Sequence, residues 1–279
     1  LSGDEAMRKQ MRNTLGEEVD DFIWHLRWRG HEIIKNRVAK YGIDCDLKHG
    51  HLHTAMKASH MDELKATYDE ALRRGMGEDV TLLDAAGVRA QLSSDLYCGA
   101  LKNTRNMHLH PLNLCIGEAK AAESLGALIF EHSEVLDIVH GPRPAVVTTG
   151  GRIEAKQVLL AGDVYHKLER RKLKGLIFPA MGGIVTTAPL GELAKEINPQ
   201  DLAVYDCRFV LDYYRMTADG RLLFGGGCNY SGRDSRDIAS ELRPCIESTF
   251  PQLKGVQIDF QWSCAMGIVM NRIPQLGKL

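Results

Sequence analysis

The sequence is poor in most features that mark a specialised class of protein. Its seven cysteines (Cys45, Cys98, Cys115, Cys207, Cys228, Cys245 and Cys264) are odd in number, widely spread and free of any Cys-x-x-Cys pair. That argues against a cysteine-built zinc site or a disulfide framework and fits free thiols in a reducing compartment. Lys and Arg together number 35 against 36 Asp and Glu, and the two signs are interspersed, so there is no electrostatic footprint for nucleic acid or an anionic membrane. Long uninterrupted apolar runs and a basic-then-apolar leader are both missing, which leads us to expect a soluble, cytoplasmic protein. Repeats, low-complexity tracts, a G-x-S-x-G elbow and a G-x-G-x-x-G loop opening a helix are absent too. What remains is 279 residues, 44% hydrophobic and 25% charged, enough for one large or two ordinary globular domains. The chain starts at Leu1 without an initiator methionine and stops at "PQLGKL" just after an apolar stretch, so a fragment is expected.

Helical signals dominate the first half. From Glu17 to Lys40 the apolar Val19, Phe22, Ile23, Leu26, Ile33, Ile34 and Val38 recur at helical spacing, and Gly42 follows as a stop. "SHMDELKATYDEALRRG" predicts a second helix with a cap at Ser59 and an end at Gly75. "DAAGVRAQL" predicts a short third from Asp84, and "HPLNLCIGEAKAAESLG" a fourth, with Pro111 in its first turn and Gly126 past its end.

Strand signals take over afterwards. "ALIFEHSEVLDIV", "AVVTT" and "RIEAKQVLLAG" predict a strand, then a hairpin turning at Gly150-Gly151, then a buried strand ending in "LLAG". "GIVTTAP", "RFVLDYYRMT", "RLLFGGG" and "VQIDFQW" follow, interrupted by one helix from about Asp234 to Phe250 that Pro244 should kink. The mixed order implies α+β packing with interleaved domains.

Three clusters invite functional readings. Asp219-Gly220 is a two-residue hairpin signal inside "LDYYRMTADGRLLFGGG", placing Tyr213, Arg215 and Thr217 on one strand face and Tyr214 and Met216 on the other. Gly225 to Gly227 open no helix, so a phosphate loop is not expected; backbone crowding at a sheet edge and close approach of a flat ligand both remain open. His49, His51 and His53 share one face of an apparent strand. That spacing suits a transition metal or a solvated face, but no Asp or Glu follows at ligand spacing and no metal is expected. His108 and His110 before the fourth helix suggest capping or packing, and "RWRGH" a solvated helix face.

"HLHPLNLCIGEAKAAESLGALIFEHSEVLDI" followed by "VVTTGGRIEAKQVLLAGDVY" resembles the middle of the D-amino-acid oxidase family of FAD-dependent amine oxidoreductases. The likeness extends along essentially the whole chain, through "IDCD", "LDYYRMTADGRLLFGGG", "FPQLKGV" and "RIPQLG". It implies FAD as cofactor and, as substrate, a putrescine-derived amine, a secondary amine or an amino acid, oxidised next to nitrogen with hydride passing to flavin N5. Oxygen or another acceptor would reoxidise the flavin, and no nucleic-acid or membrane partner is implied. The organic chemistry would be the cofactor's, with the protein positioning the amine.

By the same resemblance the fold is an incomplete α/β FAD-binding part plus a mixed β-sheet substrate domain with flanking helices. Residues 1–40 would be a helical segment of the FAD-binding domain, 41–107 and 169–262 the substrate domain, 108–168 a further FAD-binding part, and 263–279 the return to it. Val135 would meet the adenine through its backbone, with Ala161 and Gly162 beside the cofactor and Cys264, Met266, Arg272, Pro274 and Gly277 on the returning segment. Tyr213, Tyr214 and Arg215 are the substrate-side candidates, Tyr213 and Tyr214 matching a tyrosine pair of the related sarcosine oxidases; no catalytic residue is assigned. Cys264 falls where monomeric sarcosine oxidases attach flavin covalently, and a small apolar filler is the other reading of that residue. The family's N-terminal G-x-G-x-x-G segment and C-terminal flavin-binding segment have no counterpart here. An inactive module that kept only the substrate-domain fold is therefore the alternative to an oxidoreductase.

Overall fold

A computed structural model describes residues 12–173, 175–269 and 276–279. Helix α1 spans Glu17–Tyr41 and ends as its sequence predicts, with Gly42 in the left-handed conformation at φ 60°. After strand β1 (Lys48–Ala55), helix α2 covers Ala58–Arg73; its N-cap is Lys57, not Ser59, and no side chain caps it. Strand β2 (Val80–Asp84) runs into α3 (Ala85–Arg89), where the Asp84 carboxylate accepts from Gly87 N at 2.7 Å. Strand β3 (Gly99–His108) leads to α4 (Pro111–Ser124), and His110 Nδ1 accepts from Asn113 N, the capping role its position suggested.

The second half departs further from the sequence reading. Strands β4 (Val135–Val139), β5 (Ala145–Thr148) and β6 (Gly151–Glu154) form a three-stranded antiparallel sheet, with Thr148 paired to Gly151 across the predicted turn. Residues 127–134 and 155–162, predicted as strand, are not, and Leu159 is 85% exposed. Apolar content favours a strand only where a neighbouring edge completes its ladder, and among the described residues none pairs with "LLAG". A short helix α5 (Arg170–Leu173) precedes β7 (Phe178–Thr187), α6 (Glu192–Ile197), β8 (Ala203–Asp206), β9 (Tyr213–Met216), β10 (Leu222–Asn229), α7 (Ile238–Thr249) and β11 (Ile258–Ile268). Helix α7 continues through Pro244, capped by Asp237.

The large sheet has the strand order β11-β7-β10-β9-β8-β1-β3-β2. The chain divides into two units. One gathers Leu1–Ala121, Gly183–Gly227 and Arg236–Trp262; the other gathers Ala122–Gly182, Cys228–Ser235 and Ser263–Leu279. In the first unit one sheet face is backed by helices, and the row Leu52, Val204, Tyr214, Phe224 meets Val88 of α3, Ile197 of α6 and Ile246 of α7 in one apolar cluster. The opposite face carries a smaller cluster where Trp28 of α1 and Leu64 of α2 cover Ala55, Val80 and Leu101. The "RWRGH" stretch is thus packed at Trp28, while Arg29 remains exposed. Trp28 is buried, with the Arg27 and Arg105 guanidinium groups 5.0 and 4.5 Å from its ring.

Candidate functional site

Strand register assembles the candidate site in the first unit. Leu101 of β3 pairs with His53 of β1, His53 with Tyr205 of β8, Tyr205 with Tyr213 of β9, and Tyr213 with Gly225 of β10. Residues paired this way point to one face, so five strands lay a row of side chains across the face opposite the main core. The row begins under the Trp28 cluster and runs beyond it to Tyr213 and Gly225.

Stacking makes the row rigid. The Tyr205 ring lies between His51 (centroids 5.2 Å apart, planes 4° apart) and His53 (4.2 Å, 27°). The Asn106 side chain bonds His51 Nδ1 at 2.7 Å, and Cys207 Sγ lies 3.3 Å from His53 Nε2. His51 and His53 are therefore neither a metal pair nor a solvated face. His49 stands exposed beyond a register shift, and among the described residues no cluster of three or more His, Cys, Asp or Glu is arranged to hold a metal ion. Burial pushes the His51 pKa down to about 3 and that of His53 to about 4, and it raises Tyr205 and Cys207 to about 12 each. At neutral pH this stretch of wall carries no charge.

The Gly225 to Gly227 run resolves into crowding. A Cβ at Gly225 would stand 2.2 Å from Tyr213 Cζ, and one at Gly226 2.4 Å from Asp212 Oδ1. The strand stays bare so that the Tyr213 ring can lean across it. The hairpin before it forms at the predicted place with a longer connection: Thr217 N donates to Arg221 O, and Gly220 takes φ 75° in the loop between them.

The three substrate-side candidates separate. Tyr213 belongs to the row. Tyr214 points into the main core, its ring stacked on Phe224 and edge-on to Phe250, with its hydroxyl donating to Tyr97 Oη at 3.2 Å. Arg215 is buried, donates to Met216 O and sits 3.7 Å from the Asp46 carboxylate. Sequence reasoning missed Tyr205 and His53 as neighbours of Tyr213. The alternation of "HLH" was the available signal, but the four-residue strand holding Tyr205 was not recognised.

The cofactor-side candidates lie in the second unit. The Tyr165 hydroxyl donates to Ala265 O at 3.0 Å and accepts from Ala265 N at 2.9 Å, while the Asp163 carboxylate accepts from Gly267 N at 3.1 Å. These bonds tie the segment holding Ala161 and Gly162 to the end of β11. They leave Cys264 and Met266, two positions apart on that strand, exposed. Val135 pairs with Thr148 beside a register shift, Gly277 lies outside any element, and Arg272 and Pro274 fall outside the described residues. A thiol and a thioether presented together from one strand suit a flat, polarisable ring, so this edge fits the ring end of FAD. The sequence holds no glycine loop for its pyrophosphate.

The model of the FAD-dependent oxidoreductase family matches residues 7–279. The chain is 38% identical over 272 residues to gamma-glutamylputrescine oxidoreductase of Escherichia coli, covering 96% of this chain and 63% of that protein. It is 32% identical to a probable oxidoreductase, OrdL, of Haemophilus influenzae, covering 100% and 65% respectively. It thus spans just under two thirds of the length of these curated relatives. Among solved structures, glycine oxidase from Geobacillus kaustophilus superposes with TM-score 0.77 at 22% identity (91% of this chain, 69% of that one), and L-proline dehydrogenase from P. horikoshii with TM-score 0.75 at 19% (90% and 68%); both share the fold. The chain belongs to the DAO family of FAD-dependent oxidoreductases.

Proposed function

We propose that this chain supplies the amine-binding wall and part of the flavin-binding edge of an FAD-dependent amine oxidoreductase. The reading rests on the row that ends in Tyr213 leaning over Gly225. An uncharged aromatic face of this kind holds an alkylammonium by cation–π attraction, worth roughly 0.5–2 kcal/mol, and the two low-pKa imidazoles add no competing positive charge. Tyr213 is the substrate-side residue of this reading. Tyr214 acts behind it by fixing β9 against the core, while Arg215 shares Tyr213's face of the strand and lies beside Asp46. When bound, FAD supplies the electron sink for removing hydride from the carbon next to the amine nitrogen. The polyamine-derived substrate in the name of the Escherichia coli relative makes a long-chain amine the substrate of choice, with the resulting imine hydrolysing to an aldehyde.

Cys264, Met266, Ala161 and Gly162 are the residues we place beside the flavin, with Val135 at the adenine end. The test is an absorption spectrum of the purified chain with FAD. A bound yellow flavin that an amine bleaches anaerobically supports the proposal, and acid precipitation of the same sample reads whether any flavin is held through Cys264. Tyr213→Phe should keep most amine affinity while Tyr213→Ala loses several-fold. Equal affinity in the two variants rejects Tyr213 as the wall.

A further inference from the structure

Helix α1 is apolar on two sides. One side, with Trp24 and Trp28, packs into the smaller cluster over the sheet. The other faces outward: Phe22 is 64% exposed, Leu26 49% and Ile33 38%. Their spacing of i, i+4 and i+11 puts all three on one stripe, with exposed Arg29 between Leu26 and Ile33. Single exposed apolar side chains are common, but a stripe along a 25-residue helix marks a contact surface. Beside the stripe stands Gly30, in mid-helix, where a glycine costs stability. A Cβ there would meet nothing within 4 Å, so no neighbour among the described residues requires the position to be bare.

Charge divides along the same helix. Residues 17–26 carry Glu17, Glu18, Asp20 and Asp21 and no Lys or Arg, whereas residues 27–41 carry Arg27, Arg29, Lys35, Arg37 and Lys40 against Glu32 alone. The helix dipole accounts for acids in the first turn and a base in the last, but Arg27 and Arg29 lie mid-helix. Asp20 and Asp21 are engaged by Arg74, while Glu17, Glu18 and Arg29 are exposed and make no ion pair among the described residues. Two antiparallel copies of such a helix lay the acidic half of each along the basic half of the other, and a parallel pair would set like charges side by side. We propose that the outer face of α1 is an interface between two copies of this chain, packed antiparallel about a two-fold axis between Leu26 and Arg29. In that register Phe22 faces the second copy's Ile33 and Glu18 faces its Arg37, whose guanidinium also holds Glu118 of its own copy. Gly30 lets the two backbones approach. A self-complementary contact of this kind closes at two copies. A helix about 37 Å long with three apolar side chains per copy makes less than a standard interface, so the dimer dissociates on dilution.

Sedimentation velocity of the full chain over a concentration series tests the proposal. The unaltered chain should pass from monomer to dimer as concentration rises, and association should weaken several-fold when salt is raised from about 0.05 to 0.5 M. Phe22→Asp should lower the association constant at least about 100-fold, because a two-fold axis counts each change twice. Gly30→Leu should lower it too without lowering the melting temperature, since the added side chain meets open space in the monomer. Glu18→Lys should weaken association several-fold, and Glu18→Lys combined with Arg37→Glu should recover it. Circular dichroism of each variant separates lost association from lost folding. A chain that stays monomeric at the highest attainable concentration overturns the inference and assigns the stripe to a different occupant. A dimer that survives both Phe22→Asp and Gly30→Leu overturns it as well, by placing the contact on another surface. Neither result touches the amine-oxidoreductase reading.

Discussion

The two units are built on different principles. The first is organised round hydrocarbon: Phe224, Phe250, Leu52, Ile197 and Ile246 are all fully buried in its larger cluster. In the second, among the described residues, Ala145 and Ala180 are the buried apolar side chains, while Leu128, Phe130, Leu136, Leu159 and Leu176 stand exposed. Its order comes from short ladders and from side-chain ties such as Tyr165 to Ala265 and Asp163 to Gly267. Hydrocarbon burial stabilises in proportion to area, whereas single hydrogen bonds contribute about 0.5–1.5 kcal/mol each. A stiffer first unit and a more loosely held second one follow from that difference.

The comparison breaks most readily at Phe224. Phe224→Ala should cost about 3–5 kcal/mol in urea unfolding of the whole chain; a loss under 1 kcal/mol would mean the first unit does not depend on its core. Acid comes next. His51 and His53 have folded pKa values near 3 and 4, below their ordinary 6.5, so between those values and 6.5 the unfolded chain binds more protons. Stability is therefore full above about pH 6.5 and is lost as pH falls, by about 2 kcal/mol per imidazole at pH 5. His51→Phe with His53→Phe should flatten that slope, and an unchanged slope would place the cause elsewhere.

Smaller effects sharpen the contrast. Gly225→Ala should cost about 1–3 kcal/mol because its methyl group meets the Tyr213 ring, and the cost should largely vanish in a Tyr213→Ala background; additive losses would show that the two do not touch. In the second unit, Tyr165→Phe removes one tie and should lower the free energy of local opening there by only about 1 kcal/mol. Its signature is faster amide hydrogen exchange at Ala265 with global unfolding unmoved.

The sequence reading succeeded where a signal was local. Helix α1 was legible because its apolar spacing and Gly42 act within a few turns, and the β9–β10 hairpin because Asp219-Gly220 sets its own backbone. It failed where structure depends on distant partners. Strand β3, with Lys102, Asn103, Thr104, Arg105 and Asn106 in its middle, has no apolar alternation and is a strand because β1 and β2 flank it. "LLAG" is the converse, apolar enough for a strand but without a paired edge. At the site, Tyr213 was legible through resemblance alone. Its glycine bed and the Tyr205 stack needed the register, which no single strand specifies.

The stack of Tyr205 between two imidazoles also gives the protein a built-in magnetic reporter. A phenol ring lying face-on to His51 and His53 shields their carbon-bound protons by its ring current, drawing two of the eleven histidine signals away from the rest. An occupant settling against Tyr213 would disturb that shielding through the paired tyrosine. Proton spectra of the unlabelled chain would then show when the wall is in use.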